Sequence, residues 1–125
     1  MEVLISIKPI YTEKILNWEK LYELRKIFTK HKINKVIIYE SAPVSRVVGE
    51  FEIEEVLYEP LENLWDITKD FSCVDKEFFG KYFNWKEYWY AIKIKNPKRY
   101  KEPKLITDYW MKRPPQNYAF VNDSF

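Results

Sequence analysis

Hydrophobic and polar positions alternate along much of this chain. The opening "EVLISIK" places Val3, Ile5 and Ile7 on one side and Leu4, Ser6 and Lys8 on the other. That period of two predicts a strand, which Pro9 ends. In "IYTEKILNWEK" the period changes, and Tyr11, Ile15 and Trp18 fall on one stripe of a short helix. "LYELRK" returns to alternation, with Tyr22 and Leu24 on one face and Glu23 and Arg25 on the other. The loop "FTKHKIN" leads to "KVIIYESAP", a strongly apolar strand stopped by Pro43. "SRVVGEFEIEEVLY" predicts a long strand, with Val47, Phe51 and Ile53 facing in and Glu50, Glu52 and Glu54 facing out. Gly49 interrupts that pattern and predicts a bulge or a sharp bend.

The second half carries two helical patterns. "PLENLWDITKDF" begins at a proline and spaces Leu61, Leu64, Trp65 and Thr68 for one helix face. "DKEFFGKYFN" offers Asp75 as an N-cap and an aromatic stripe of Phe78, Phe79, Tyr82 and Phe83, read as core packing. "EYWYAIKIKN" alternates again, Tyr88, Tyr90, Ile92 and Ile94 against Trp89, Ala91, Lys93 and Lys95. "PKRYKEPKLI" and "RPPQNYAFV" are extended segments punctuated by proline, and Tyr118 and Phe120 alternate in a closing strand. The order β-α-β-β-β-α-α-β predicts an α+β fold, a small mixed or antiparallel barrel with about three short helices over its ends. A bend at Gly49 is what such a barrel needs to close.

A chain of 125 residues makes one domain, taken as 1–125, and is long enough to bury a core. Two glycines argue against glycine-rich phosphate loops. Cys73 is the one cysteine, so no disulfide partner exists within the chain, and it reads as a small, partly buried thiol near a helix start. With one cysteine and one histidine, His31, a structural zinc site has too few ligands, and no metal or cofactor is expected. No apolar run approaches the ~20 residues that cross a bilayer, and "MEVLISIKPI" lacks the basic leader of a signal peptide. A soluble, cytoplasmic protein is expected.

The net charge of +2 conceals a segregation. Between positions 50 and 62 there are six acids and no base; between 93 and 113 there are eight bases and two acids. Arg25, Lys26, Lys30, Lys32 and Lys35 form a second basic cluster. Such asymmetry can build a basic face on a nearly neutral protein, and Lys93, Lys95, Lys98, Arg99, Lys101 and Arg113 are the candidate nucleic-acid surface. The same-face run Glu50, Glu52 and Glu54 reads as solvated surface rather than a metal site.

The order of elements and several local sequences resemble the ASCH domain, a branch of the PUA-like superfamily, over essentially the whole chain. "LISIKPIYTEKIL" resembles its first strand and helix, and "EKLYELRK" its signature, glycine-x-lysine-x-x-glutamate-x-arginine. Lys20, Glu23 and Arg25 keep that spacing, and Trp18 stands in place of the glycine, which implies a looser junction. "VIIYESAPVSRVVGEFEIEEVL" resembles the central strands, and "YAIKIKNPKRYKEP" with "PPQNYAFV" the late ones. The resemblance implies a PUA-like β-barrel with a cleft lined by the signature, and RNA as partner, in RNA processing or in regulation of transcription or translation. Some members resemble ribonucleases acting on single strands. Others deacylate modified cytidine with a lysine, a threonine and a glutamate; here Glu23 stands where the threonine belongs, so that activity is not carried over.

The residues of the signature suit such a cleft. Glu23 and Arg25 point the same way from a strand, and Lys20 can reach the same space. Lys8 and Ser6 share a face of the first strand, Tyr39 and Ser41 one of the third. If these faces converge, Lys8, Lys20, Glu23, Arg25, Tyr39 and Ser41 line one ligand site. Glu23 would accept from a base amine, Arg25 would grip a phosphate or carbonyl edge, and Tyr39 or one of the tryptophans would stack. An RNA-binding module follows. An alternative is a ribonuclease or nucleoside hydrolase using Lys20, Glu23 and Tyr39 for acid–base work, and another is a protein-interaction adaptor with the acidic strand as its contact surface.

Overall fold

In a computed structural model, residues 1–70 and 76–121 are described. The strands are β1 (Glu2–Ile7), β2 (Tyr22–Arg25), β3 (Lys35–Glu40), β4 (Arg46–Pro60), β5 (Tyr88–Lys104) and β6 (Ala119–Val121). Helix α1 (Pro9–Leu16) follows β1; α2 (Leu61–Thr68) and α3 (Lys76–Tyr82) lie between β4 and β5. A 3-10 turn, Ile106–Tyr109, precedes β6. Cys73, Asp75 and the side chains of Phe78, Phe79 and Tyr82, singled out above, lie outside the described residues.

The strands form one mixed sheet in the order β2-β5-β4-β3-β1-β6. β1 and β3 run parallel, Val3 opposite Val36 and Ile5 opposite Ile38, and the other ladders are antiparallel. β1 and β3 read as nearly continuous apolar runs because both faces are covered. Val3, Ile5, Ile7, Val36, Ile38, Phe51, Ile92 and Ile94 make the main core with Ile15 of α1. Leu4, Ile37, Tyr39 and Val47 pack on the opposite face. Leu24, Trp89 and Ala91 bury against Leu61 and Leu64 of α2.

Gly49 sits where its interrupted pattern places a bulge. The β4 register shifts around it against both neighbours, between Val47 and Gly49 on the β5 side. The extra residue reverses the alternation. Val47 and Phe51 are an even number of residues apart, yet they enter different cores, and Val48 joins Phe51 instead. A Cβ on Gly49 would come within 2.5 Å of the Lys98 carbonyl oxygen, so the two backbones approach this closely only because no side chain stands between them. Two further shifts along β4 and β5 add to the twist.

The predicted closed barrel is corrected to an open, curled sheet. β2 and β6 are its two ends, and no ladder joins them among the described residues. The reason lies in strand length. β6 pairs with β1 over Glu2, Val3 and Leu4, and β2 has four residues, so on the side away from β3 β1 has no strand neighbour from position 5 onward among the described residues. The gap is spanned by side chains: Phe28 meets Tyr118 edge-on at 5.7 Å between ring centres.

Two element boundaries also differ from the pattern. α1 ends at Leu16, so Trp18 leaves the helical stripe and is exposed. β5 continues through Pro97 and Pro103 to Lys104. Beyond Lys93 it has no β2 ladder partner, and proline is tolerated on such an uncovered strand edge. No helix among the described residues is long and apolar enough to cross a membrane.

Candidate ligand cleft at the open sheet edge

The turn that ends α1 delivers the first residue of the site. The Trp18 N–H donates to the Ile15 carbonyl at 3.1 Å and the Glu19 N–H to the Lys14 carbonyl at 2.8 Å. This is the six-to-one, five-to-two bonding of a Schellman motif, whose C′ residue takes a left-handed conformation and is usually glycine. Trp18 holds that position at φ 63°. The turn is therefore intact without the signature's glycine, and the looser junction expected from the substitution is absent. The Lys20 N–H also donates to Lys14, at 3.0 Å, and the chain then turns into β2.

Lys20, Glu23 and Arg25 come together as their spacing predicts. The Lys20 side chain is 1% exposed, and its Nζ lies 3.5 Å from Glu23 Oε1 and 5.2 Å from the centre of the Tyr11 ring. Glu23 Oε2 lies 3.8 Å from Arg25 Nε. A buried cation needs a compensating charge and an electron-rich neighbour, and Glu23 and Tyr11 supply them. Arg25 Nη2 donates to the Ser6 carbonyl at 3.1 Å and to the Asn117 carbonyl at 3.4 Å. Those carbonyls lie on the far side of the open edge, so Arg25 bridges the gap left by the missing ladder. Its Nε is buried and makes no hydrogen bond among the described residues.

Above this triad opens a cleft of about 330 Å³, lined by Ser6, Ile7, Lys8, Tyr11, Lys20, Glu23, Leu24, Arg25, Phe83 and Trp89. Lys8 is exposed at its rim. Tyr39 and Ser41 do not join it. Tyr39 is 6% exposed and packs with Leu4, Ile37 and Val47. Ser41 lies in the turn after β3, where its N–H donates to the Ile7 carbonyl. The set Lys20, Glu23 and Tyr39 is thus not assembled in one place. Tyr11, Phe83 and Trp89 line the cleft; the first two were missed as site residues, and which tryptophan would lie there was left open. Their helical or alternating spacing marks them as core, and nothing local shows that their rings end at an open edge.

The basic segment has a different environment. Antiparallel pairing sets it against the acidic one, with Glu50 opposite Lys98, Glu52 opposite Lys95 and Glu55 opposite Lys93. Lys93 Nζ lies 3.2 Å from Glu54, which holds the lysine pKa above its usual value, chiefly through that contact. Asn96 donates to Glu52 at 2.7 Å, and Arg99 pairs with Glu13 of α1. Lys35 from β3 meets Glu50 at 3.2 Å. The two blocks of like charge in the sequence thus lie side by side across the β4–β5 ladder, with Lys93–Glu54 as an ion pair between them. Lys95, Lys98, Lys101 and Arg113 are exposed and form no ion pair among the described residues, and none of the six candidate surface bases lines the cleft. His31 is exposed in the loop after β2, and no group of three His, Cys, Asp or Glu is placed to hold a metal among the described residues.

Comparison with known proteins identifies the fold. The crystal structure of the ASCH protein from Zymomonas mobilis superposes with a TM-score of 0.87, over 98% of this chain and 88% of that one, at 20% identity. Its serine-to-alanine and tyrosine-to-phenylalanine variants superpose equally well, at 20% and 19% identity, over 98% of this chain and 89% and 91% of theirs. The chain has the ASCH-domain fold. No family model matches it. Among curated proteins, the large ribosomal subunit protein uL22 of Ureaplasma parvum is 25% identical over 120 residues, 95% of this chain and 39% of that protein. The ATP synthase subunit alpha of the same organism is 25% identical over 121 residues, 95% of this chain and 15% of that protein. The chain therefore spans well under half the length of each.

Proposed function

We propose that this ASCH-fold chain is a self-contained RNA-binding module that takes an unpaired or modified base, with its phosphate, into the cleft at the open sheet edge. The observation that carries the proposal is the buried Lys20–Glu23 pair, held in place by Tyr11 and Arg25 and opening onto about 330 Å³ of cleft. A surface ion pair contributes ~0–1 kcal/mol and needs no such enclosure. A buried one costs desolvation, and a preformed donor–acceptor set is one use of that cost. Glu23 accepts from an exocyclic amine or ring N–H. Arg25, with Nη2 committed to backbone and Nε buried, offers Nη1 to a carbonyl edge. Lys8 at the rim takes the phosphate, and Trp89 or Phe83 contacts the base face.

The match to two proteins of different name, one of them ribosomal, supports a portable unit joined to other chains. The exposed cations of β5 would add non-specific, salt-dependent attraction for phosphate, and a PUA-like kinship and a cytoplasmic role in RNA processing or regulation fit that picture. Catalysis is the weaker reading, because Tyr39 stands apart from Lys20 and Glu23.

The test is a labelled single-stranded RNA incubated with the protein at low salt, with and without magnesium or manganese, on native and denaturing gels. Intact RNA should shift, and the shift should weaken with Glu23→Gln and steeply with salt, because phosphate contacts release counterions. Shortened RNA would make the cleft a nuclease site. RNA that neither shifts nor shortens would sink the RNA reading and leave the adaptor.

A further inference from the structure

A second depression, larger than the cleft, lies beside it. It measures about 520 Å³ and runs between residues 28–33, before β3, and residues 53–58 of β4, with Tyr90 in its wall. Tyr58 and Tyr90 lie 4.5 Å apart between ring centres at 34°, and Tyr88 lies 5.2 Å from Tyr58. Tyr58 is 55% and Tyr88 51% exposed, so ring surface is presented to solvent rather than buried.

The opposite wall carries charge. Phe28 and Ile33 are buried at either end of the loop, and the His31 N–H donates to the buried Thr29 hydroxyl at 3.1 Å. So anchored, the loop projects Lys30 and Lys32, which are exposed and make no ion pair among the described residues. Glu54 is engaged by Lys93, and Glu55 beside it is exposed. Ring faces, two available cations and one carboxylate acceptor match the parts of a nucleotide: base, phosphate and exocyclic amine.

Register joins this groove to the cleft. Arg25 is directly opposite Tyr90 across β2 and β5, and Tyr90 is directly opposite Tyr58 across β5 and β4. Directly opposed residues share a face, and neighbouring strands are about 4.8 Å apart, so the row Arg25–Tyr90–Tyr58 spans roughly 10 Å of one surface. We infer that the groove between the Lys30–Lys32 loop and Tyr58 is a second nucleotide subsite, occupied by the single strand whose neighbouring base enters the cleft. The inference rests on the RNA reading for its ligand and goes beyond it by extending the footprint to a site with its own stacking surface and phosphate contacts.

The experiment measures binding of a short fluorescein-labelled single-stranded RNA by anisotropy at low salt. The variants are Tyr58→Ala, Tyr58→Phe, the double Lys30→Ala/Lys32→Ala and Glu23→Gln, with Lys86→Ala, outside both depressions, as a control for lost charge. Circular dichroism checks folding, and the exposure of Tyr58 favours a folded variant. Tyr58→Ala should weaken binding about tenfold, Tyr58→Phe should preserve it, and the double lysine variant should weaken it well beyond the control. Loss in Glu23→Gln with native affinity in Tyr58→Ala and the double variant overturns the second subsite and leaves the cleft reading intact. The reverse pattern supports the groove and overturns the cleft as an RNA site. No binding by the native protein overturns both and turns the aromatic strip over to a protein ligand.

Discussion

The Arg25 guanidinium donates to the Ser6 carbonyl at 3.1 Å, across the gap between the two ends of the sheet, which no ladder closes among the described residues. The same Nη2 reaches Asn117. A charged donor thus satisfies backbone acceptors that a closed barrel would have given to a strand, and the residue is half-buried while doing so. Hydrogen bonds from charged groups are worth about 1.5–3 kcal/mol each. Arg25→Ala should therefore lower stability by roughly 2–4 kcal/mol in urea titration. Arg25→Lys, which keeps the charge and loses the fork, should fall between the two. Native stability in Arg25→Ala would show that the open edge needs no bridge.

The Lys20–Glu23 pair should behave as a buried pair and not as a sum of two residues. Glu23→Ala takes away the carboxylate 3.5 Å from the enclosed Lys20, at a cost of about 3–5 kcal/mol. The double variant Lys20→Met/Glu23→Leu should recover most of that loss. A double-mutant cycle reads the coupling directly, and additive single effects would contradict the enclosure.

Trp18 stores strain. It occupies the left-handed C′ position at φ 63° with 54% of its surface exposed. The left-handed conformation costs a side-chain-bearing residue about 1–2 kcal/mol, part of which glycine returns through its freer unfolded chain. Trp18→Gly should stabilise the protein by about 1 kcal/mol, seen as a rise of a few degrees in Tm. A fall in Tm would assign the indole a packing role greater than the strain.

At the bulge the direction is opposite. A Cβ on Gly49 meets the Lys98 carbonyl at 2.5 Å, and backbone cannot rotate away. Gly49→Ala should destabilise by about 1–3 kcal/mol, as overpacking does, and Gly49→Val by more. Equal stability of Gly49→Ala and the native chain by denaturant melt would show that β4 and β5 separate freely there.

Alkaline pH should expose a second network. The Tyr100 hydroxyl donates to Glu50 at 2.9 Å, and burial followed by that bond raises its pKa well above the ordinary value of 10.0. Burial raises Tyr109 as well. Because the folded state holds these protons more tightly, their contribution is fully present below pH 10 and is lost as pH rises above it. Absorbance titration should show late-ionising tyrosine, and Tyr100→Phe should remove part of it and flatten the alkaline decline. Ionisation of all tyrosines in the ordinary range, with near-UV dichroism unchanged, would contradict the network.

Much of this was legible from residue order. Alternation marked β1 and the first half of β5 and an apolar run marked β3, because these patterns follow the local backbone, whereas in β4 the faces predicted for Val47 and Phe51 were separated by the bulge. The spacing of Lys20, Glu23 and Arg25 foretold their convergence for the same reason, since it spans one turn and one short strand. Gly49 announced its bulge through an interrupted pattern. The later course of β5 was hidden by Pro97 and Pro103, whose missing donors are harmless only on a strand edge that pairing leaves uncovered.

What the sequence by itself determined, then, is the set of local elements, the apolar faces they must bury and the charged triad at the α1–β2 junction. What only the tertiary structure decided is which strands become neighbours. That choice set the acidic β4 beside the basic β5, so that charges separated in the chain face each other across a ladder. It sent Tyr39 to the face away from the cleft, left β1 short of a partner, and gave Arg25 the carbonyls it holds. Pairing between distant strands depends on lengths, bulges and burial summed over the whole chain, and no local stretch carries that sum.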